Sequence, residues 1–331
     1  MIKYLQHPEL DKTQWDQLIE QSPQRQVYAL SWYLDVVSPG WEAVVELDAQ
    51  GRYKTVLPVP CRSRYGIRFV QQPLYCQQLG VYALKASIDD NVYQQMLREV
   101  YHRFRYVISM QFNTANILPE SMALPGVGVS QSQTLYLNLA TGYETLYQRY
   151  TRDRKMNLKR AQRAQLTIAE SEDIEPLISF FKAETQERIY GGVDESAYEL
   201  LRQLYQALRQ RGVARLLYTE DESGRKNAGC LFILWGGRIV YIFNASAKYG
   251  RKLNGRTLIL DHIIREYAGQ AYVLDFESPD TDEPDIFHFY QSFGSVPAPI
   301  PVVKYNRLPK AVKLFKNARM RLIRRLRGLP E

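Results

Sequence analysis

With 331 residues, 45% of them apolar and 24% charged, the chain is long enough for two cores and too apolar for a disordered or fibrous protein. Its formal net charge of +8 belongs to one end: residues 304–331 hold ten Lys/Arg and one acid, leaving 33 basic and 34 acidic side chains before them, so any anionic partner must be argued locally. Three distant cysteines (Cys61, Cys76, Cys230), no apolar run of membrane-spanning length and no apolar leader point away from a disulfide framework, a zinc site, a membrane span and secretion, and towards a soluble cytoplasmic protein.

In chain order, apolar spacing predicts a helix over 10–21 (Leu10, Trp15, Leu18, Ile19) and another over 32–37 with Ser31 as its N-cap. Strands at 41–47 and 53–60 flank the polar turn Asp48-Ala-Gln-Gly51, a hairpin signal. A strand at 67–71, an amphipathic helix at 89–104 and strands at 106–112 and 132–138 follow. The second half repeats the scheme with a helix over 143–164, a strand at 167–170 and helices at 174–190 and 195–211, the last ended by Gly212. Then come strands at 213–220, 228–234 and 239–245, a helix at 258–269, a buried-type strand at 272–276 and a short helix at 286–293, stopped by Gly294. The economical division is two α+β domains, 1–140 and 141–305, each a mixed, twisted sheet flanked by helices. A polar linker at 138–142 joins them, and 306–331 forms a separate tail.

Four segments can carry chemistry. In 149–163 (RYTRDRKMNLKRAQR), seven basic residues face one acid, and helical spacing puts Arg152, Lys155, Lys159 and Arg163 on one face. Such a stripe on a slightly acidic body is either a solvated face or an anion site. In 248–257 (KYGRKLNGRT), two glycines and four Lys/Arg lie between a strand and a helix, where free amides and the helix dipole favour an anion. The strand 273–279 (VLDFESP) ends in Asp275 and Glu277, two apart and so expected on one side. Either could accept a proton from an attacking amine, or serve as a cap or ion-pair partner. The aromatic helix 287–294 (FHFYQSFG) offers His288 and Tyr290, although such a stripe is usually core. No Ser/His/Asp triad or metal cluster can be assembled, so a covalent enzyme intermediate is not expected.

The run of NLKRA, AGCLFILWGGRIVYIFNAS, KYGRKLNG, LDFESP and FYQSFG in this order resembles the Fem-type peptidyltransferases and the related tandem GNAT-like acyltransferases. The likeness covers 143–305 well and 28–137 more loosely. It implies two tandem GNAT-like acyl-CoA N-acyltransferase domains and direct transfer of an acyl or aminoacyl group to an amine on a sugar, peptide or lipid-linked cell-envelope precursor. Arg154, Lys155, Asn157 and Lys159 match the family's basic helix, which implies substrate binding. Arg251, Lys252, Asn254, Gly255 and Arg256 match its pyrophosphate loop, with the glycine one residue late. No tightly bound cofactor or metal is implied; acyl-CoA is the favoured co-substrate over aminoacyl-tRNA, because the helical hairpin some Fem enzymes insert is missing. Asp275, Glu277 and Tyr290 are the catalytic candidates. The competing reading is a non-catalytic GNAT scaffold that binds a membrane or RNA through its tail.

The tail bears on both readings. Ala311, Phe315, Ala318 and Leu322 recur at spacings of four, three and four amid eight Lys/Arg, the pattern of a basic amphipathic helix. It could lie on an anionic membrane at its inner face, grip RNA or pack on the second domain.

Overall fold

The computed structural model describes residues 1–119, 124–185, 193–277, 284–310 and 312. They fall into two compact units, residues 1–132 with the chain from Ile300 onward, and residues 133–299.

The first unit opens with β1 (Ile2–Leu5), α1 (Lys12–Gln21), α2 (Ser31–Val37), β2 (Glu42–Leu47) and β3 (Tyr53–Val59). It continues with β4 (Cys61–Arg64), β5 (Ile67–Gln71), β6 (Tyr82–Ala83), α3 (Asp90–Arg103) and β7 (Tyr106–Gln111). The chain then runs through β8 (Gly128–Asn138), α4 (Tyr143–Gln148), α5 (Arg152–Arg163), β9 (Thr167–Glu170), α6 (Glu175–Thr185) and α7 (Glu195–Gln210). β10 (Ala214–Glu220), β11 (Lys226–Trp235), β12 (Arg238–Ser246), α8 (Gly255–Tyr267), β13 (Val273–Asp275), α9 (Pro284–Gln291) and β14 (Val296–Asn306) complete it.

In the first unit one sheet has the order β1-β2-β3-β6, and β4, β5, β7 and β14 pair in sequence. α3 supplies Tyr93, Met96, Leu97 and Val100 to a core that takes Val44, Leu57 and Val59 from one sheet and Val70, Val107, Met110, Val303 and Tyr305 from the other. The expected turn at 48–51 forms because the Asp48 carboxylate accepts from the amides of Gln50 and Arg52. Ser31 is not the N-cap of α2. It is the first helical residue, and the Asp16 carboxylate of α1 takes both its amide and its hydroxyl at 2.7 Å. A cap borrowed from another helix leaves no local sequence signal.

The second unit orders its strands β8-β13-β12-β11-β10-β9. α8 and α5 pack together, with α8 against β10, β11 and β12, while α6 contacts β11 and β12 and α7 contacts β10. Ile259, Leu260, Ile263 and Ile264 of α8 are fully buried there. The single helix expected over 143–164 is two, because Thr151 caps a new start: its hydroxyl accepts from the Arg154 amide.

The unit boundaries also differ from the expected 140 and 305. Residues 136–138 pair with β13 in the second unit, and Val302–Asn306 pair with β7 in the first. Alternation can locate a strand but cannot name its partner. β14 contains Pro297, Pro299 and Pro301, which hid it as a strand. The tail expected as a helix over 306–331 lies, beyond Lys310 and apart from Val312, outside the described residues.

Candidate functional site

Two features open the sheet of the second unit beside α8 and α9. First, the parallel ladder of β12 and β13 spans only Arg238↔Val273 to Val240↔Asp275, whereas β12 runs on to Ser246. Second, a bulge sits in the same strand: Phe232 pairs with Tyr241 and Leu231 with Phe243, so Ile242 has no opposite number on β11. The inserted residue resets the alternation, a device common next to active sites. Tyr241 packs in the α8 core, Phe243 meets Phe181 of α6, and Asn244 turns back towards α8 and α9.

Around that opening the chain assembles a polar chain of contacts. Asn244 donates through Nδ2 to the Tyr290 hydroxyl (3.3 Å) and accepts through Oδ1 from Arg256 (2.8 Å). Tyr290 stacks on Phe276 with centroids 5.2 Å apart and meets Tyr241 edge-on. Burial raises its phenol above the ordinary value of 10.0, so it remains protonated at neutral pH.

Arg154 lies inside, on the α5 face that carries Leu158 and Ala161. Its Nε donates to Ser292 Oγ (2.8 Å), its Nη1 donates to Thr257 Oγ1 (2.6 Å), and its guanidinium rests 4.2 Å from the Phe289 centroid and 4.7 Å from that of Phe293. Among the described residues it makes no ion pair. Burial, and then the charge of Arg256, bring its pKa down to about 10, so it stays cationic at neutral pH under electrostatic stress. A buried cation with neutral partners is costly.

The other residues of the basic helix stand elsewhere. Lys159 is exposed, Lys155 donates to the Gln148 carbonyl and lies over Tyr147, and Asn157 accepts from Arg160. The face expected to carry Arg152, Lys155, Lys159 and Arg163 thus stays outside the core, and of the set matched to the family's basic helix Arg154 alone is buried while Lys155, Asn157 and Lys159 are not. A threonine-capped restart at residue 152 set the rotation.

The loop 248–254 forms a 3-10 turn, Lys248–Leu253, with Asn254 left-handed (φ 59°) as the N-cap of α8. Arg251 and Lys252 are exposed on it. Gly255 admits α8 against the sheet, for a Cβ there would meet Thr219 Oγ1 at 2.2 Å and Asn227 Oδ1 at 2.7 Å. Arg256 points inward to Asn244 and towards Phe289, so it joins Arg154 and not Arg251 and Lys252.

Asp275 is fully buried and accepts from Thr134 Oγ1 (2.8 Å) and from the Glu277 amide (3.0 Å). The expectation that Asp275 and Glu277 share one side of a strand is overturned: β13 ends at Asp275, and Glu277 adopts φ 46°, folding its amide back onto Asp275. A left-handed glutamate is uncommon, and such residues gather at functional sites. Glu277 is half-buried, and its charge contributes to raising the Tyr290 phenol. His288 is exposed.

Sequence reasoning missed Asn244, Thr257, Ser292 and Phe289. Asn244 alone left a trace, as an amide in the otherwise apolar run of β12. Among the described residues no group of acidic, His or Cys side chains could hold a metal ion.

With this geometry in place, comparisons give it a family setting. Residues 147–283 match the acetyltransferase (GNAT) domain family. No curated protein sequence matches the chain. The crystal structure of FemX is similar at 13% identity and a TM-score of 0.63, covering 92% of this chain and 98% of that one. A conserved protein of unknown function from Bacteroides thetaiotaomicron is similar at 8% identity and a TM-score of 0.57, covering 89% of this chain and 97% of its own. A C-terminal domain assigned to a lysylphosphatidylglycerol synthetase from Agrobacterium fabrum is similar at 10% identity and a TM-score of 0.52, covering 92% and 94%. The matched segment contains the opening of β12 and β13, Arg154, Asn244, Arg256 and Glu277, and the fold around it is shared over nearly the whole of FemX. Residues 147–283 thus match the acetyltransferase (GNAT) domain family, and the chain has an α+β fold similar to that of FemX.

Proposed function

We propose that the second unit is the catalytic unit of an N-acyltransferase. It moves an acyl or aminoacyl group from a thioester or ester donor to an amine on a sugar, peptide or lipid-linked cell-envelope precursor. The first unit is, on this reading, the second GNAT-like domain of a tandem pair. The observation that carries the proposal is the open edge of β12 beyond Val240, walled by Asn244, Tyr290, Arg256, Arg154 and Glu277.

The chemistry follows from the partners each group already has. Asn244 donates to the Tyr290 oxygen, so the phenolic proton is directed away from it, and a raised pKa keeps that proton available for a departing group. Glu277 is the group best placed to take the proton an attacking amine sheds. Asp275 is a positioning residue: its two hydrogen bonds hold the Glu277 turn. Arg154 uses Nε and Nη1 for Ser292 and Thr257, and its Nη2 hydrogens suit an anionic group of the acceptor. Direct attack needs no enzyme nucleophile, and the buried Cys230, its thiol pushed up to about 12 by burial, offers none.

The likeness to a domain assigned to lysylphosphatidylglycerol synthesis supports an aminoacyl group or a lipid-linked acceptor, and the GNAT match supports a CoA thioester. Arg251, Lys252 and the Gly255 amide at the start of α8 would hold the phosphates of CoA, whose thioester supplies an activated carbonyl. No helix among the described residues is long and apolar enough to cross a membrane; contact with the inner membrane face through residues 306–331 belongs to the proposal.

Thermal unfolding with CoA and acetyl-CoA tests the donor. Binding stabilises by about 2.7 kcal/mol at a hundredfold excess over Kd, and Arg251→Ala with Lys252→Ala should weaken it. If neither compound shifts the transition at millimolar concentration, CoA is not the donor.

A further inference from the structure

The strands β4, β5, β7 and β14 of the first unit have two unlike faces. The inner face carries Val70, Val107, Met110, Val303 and Tyr305 to the α3 core, with Cys61 packed against it and the Arg68 guanidinium 5.0 Å from the Phe104 ring. The antiparallel register fixes the other face. Arg62 pairs with Phe69 and Arg64 with Ile67, so these four point away from Cys61 and Val70. On β7, Tyr106 joins them, its ring centroid 6.2 Å from that of Phe69. The pairing Gln71↔Ser109 brings both to the same side, and Lys304, between the inward Val303 and Tyr305, faces outward.

Around the β4–β5 hairpin, Tyr106 and Lys304 that outer face is basic, aromatic and accessible, whereas Val302, further along β14, is buried. Arg62, Arg64 and Lys304 are exposed, Phe69 and Tyr106 are partly exposed, and the four strands contain no Asp or Glu. At its tip the two-residue turn Tyr65-Gly66 has φ values of 53° and 73°. Turns of this geometry favour Asn-Gly. Here a tyrosine takes the left-handed position and leaves its side chain 70% exposed, with the Arg64 guanidinium 5.3 Å from its centroid. A bulky aromatic in that conformation and in water is costly for a solvated hairpin.

We propose that this face binds single-stranded RNA. Phe69, Tyr106 and Tyr65 are stacking surfaces for unpaired bases, Arg62, Arg64 and Lys304 neutralise the phosphates, and Gln71 and Ser109 can hydrogen-bond the 2′-hydroxyl. Charge decides the occupant. The chain's own residues 311–331 carry Lys and Arg with a single acid at the end and would be repelled, whereas a polyanion is attracted. The inference stands apart from acyl transfer, since its residues lie in the first unit and the proposed chemistry in the second.

The test is fluorescence anisotropy of a labelled 12-nucleotide RNA with the full chain, and with DNA of the same sequence. The wild type should bind RNA more tightly than DNA, with a log–log salt slope of about −2 for three phosphate contacts. Phe69→Ala should weaken RNA binding roughly tenfold, as loss of one stacking ring does. Arg62→Glu with Arg64→Glu, exposed positions that leave the core intact, should weaken it at least as much and flatten the slope. Failure to bind at low salt would overturn the proposal. So would binding unchanged in the Arg62/Arg64 variant, which would move RNA to the tail, or equal affinity for DNA, which would remove 2′-hydroxyl recognition.

Discussion

α5 and the turn into α8 each carry cations on two sides, and the sides differ in what surrounds them. Outside, Lys159, Arg251 and Lys252 are exposed, where a charge costs little and fixes little. Inside, Arg154 is 6% exposed, held by two hydroxyls and two aromatic rings without a carboxylate. A surface lysine needs no explanation. A buried guanidinium with neutral partners is a destabilising choice unless a ligand completes it. Position relative to the core, and not the density of Lys and Arg, separates a binding group from a solvated face.

The sharpest break in that comparison comes from the inner side. Tyr290→Phe should keep its stacking on Phe276 and lower kcat by about 10²–10⁴, the usual worth of general acid catalysis. Because burial raises the phenol above 10.0, the alkaline limb of the wild-type kcat profile should lie above pH 10. A limb near neutrality would give the proton to another group. Arg154→Met should raise KM for an anionic acceptor about 10–100-fold, the loss of one charge-assisted contact at ~1.5–3 kcal/mol. The same change should leave denaturant stability nearly intact or improve it, because an unpaired buried charge is removed. A large stability loss with unchanged KM would make Arg154 a structural anchor. Gly255→Val sharpens the comparison from the helix start: a side chain there meets Thr219 and Asn227 and should cost about 1–3 kcal/mol in chemical denaturation. Lys159→Ala is the smallest, within ±0.5 kcal/mol in stability and within about twofold in KM.

How much of this was legible beforehand depended on range. The hairpin at Asp48–Gly51, the helix of α3 and the strand–turn–helix leading into α8 rest on local spacing and turn chemistry, and the sequence carries those openly. Arg154 stands in the sequence beside Lys155, Asn157 and Lys159 as one candidate set, but its separation from Lys155 and Lys159 was hidden, because Thr151 restarts the helix and sets which face turns inward. Asp275 and Glu277 were found as a pair, and strand alternation misassigned their geometry where a left-handed Glu277 ends the strand. Ser292 and Thr257 come from distant segments and acquire meaning only once α5, α8 and α9 converge. The bulge at Ile242, which turns Asn244 towards Tyr290, is a property of two strands together.

Turnover on matched acceptors would show whether the buried Arg154 guanidinium selects an anionic acceptor. Release of the donor's thiol would be followed for pairs of primary amines that differ only by a phosphate or carboxylate, with wild type and Arg154→Met. The account predicts that wild type prefers the anionic member at least tenfold in kcat/KM and that Arg154→Met loses this preference while still turning over the neutral one. A wild type indifferent to the anionic group, or a preference untouched by the substitution, would contradict it.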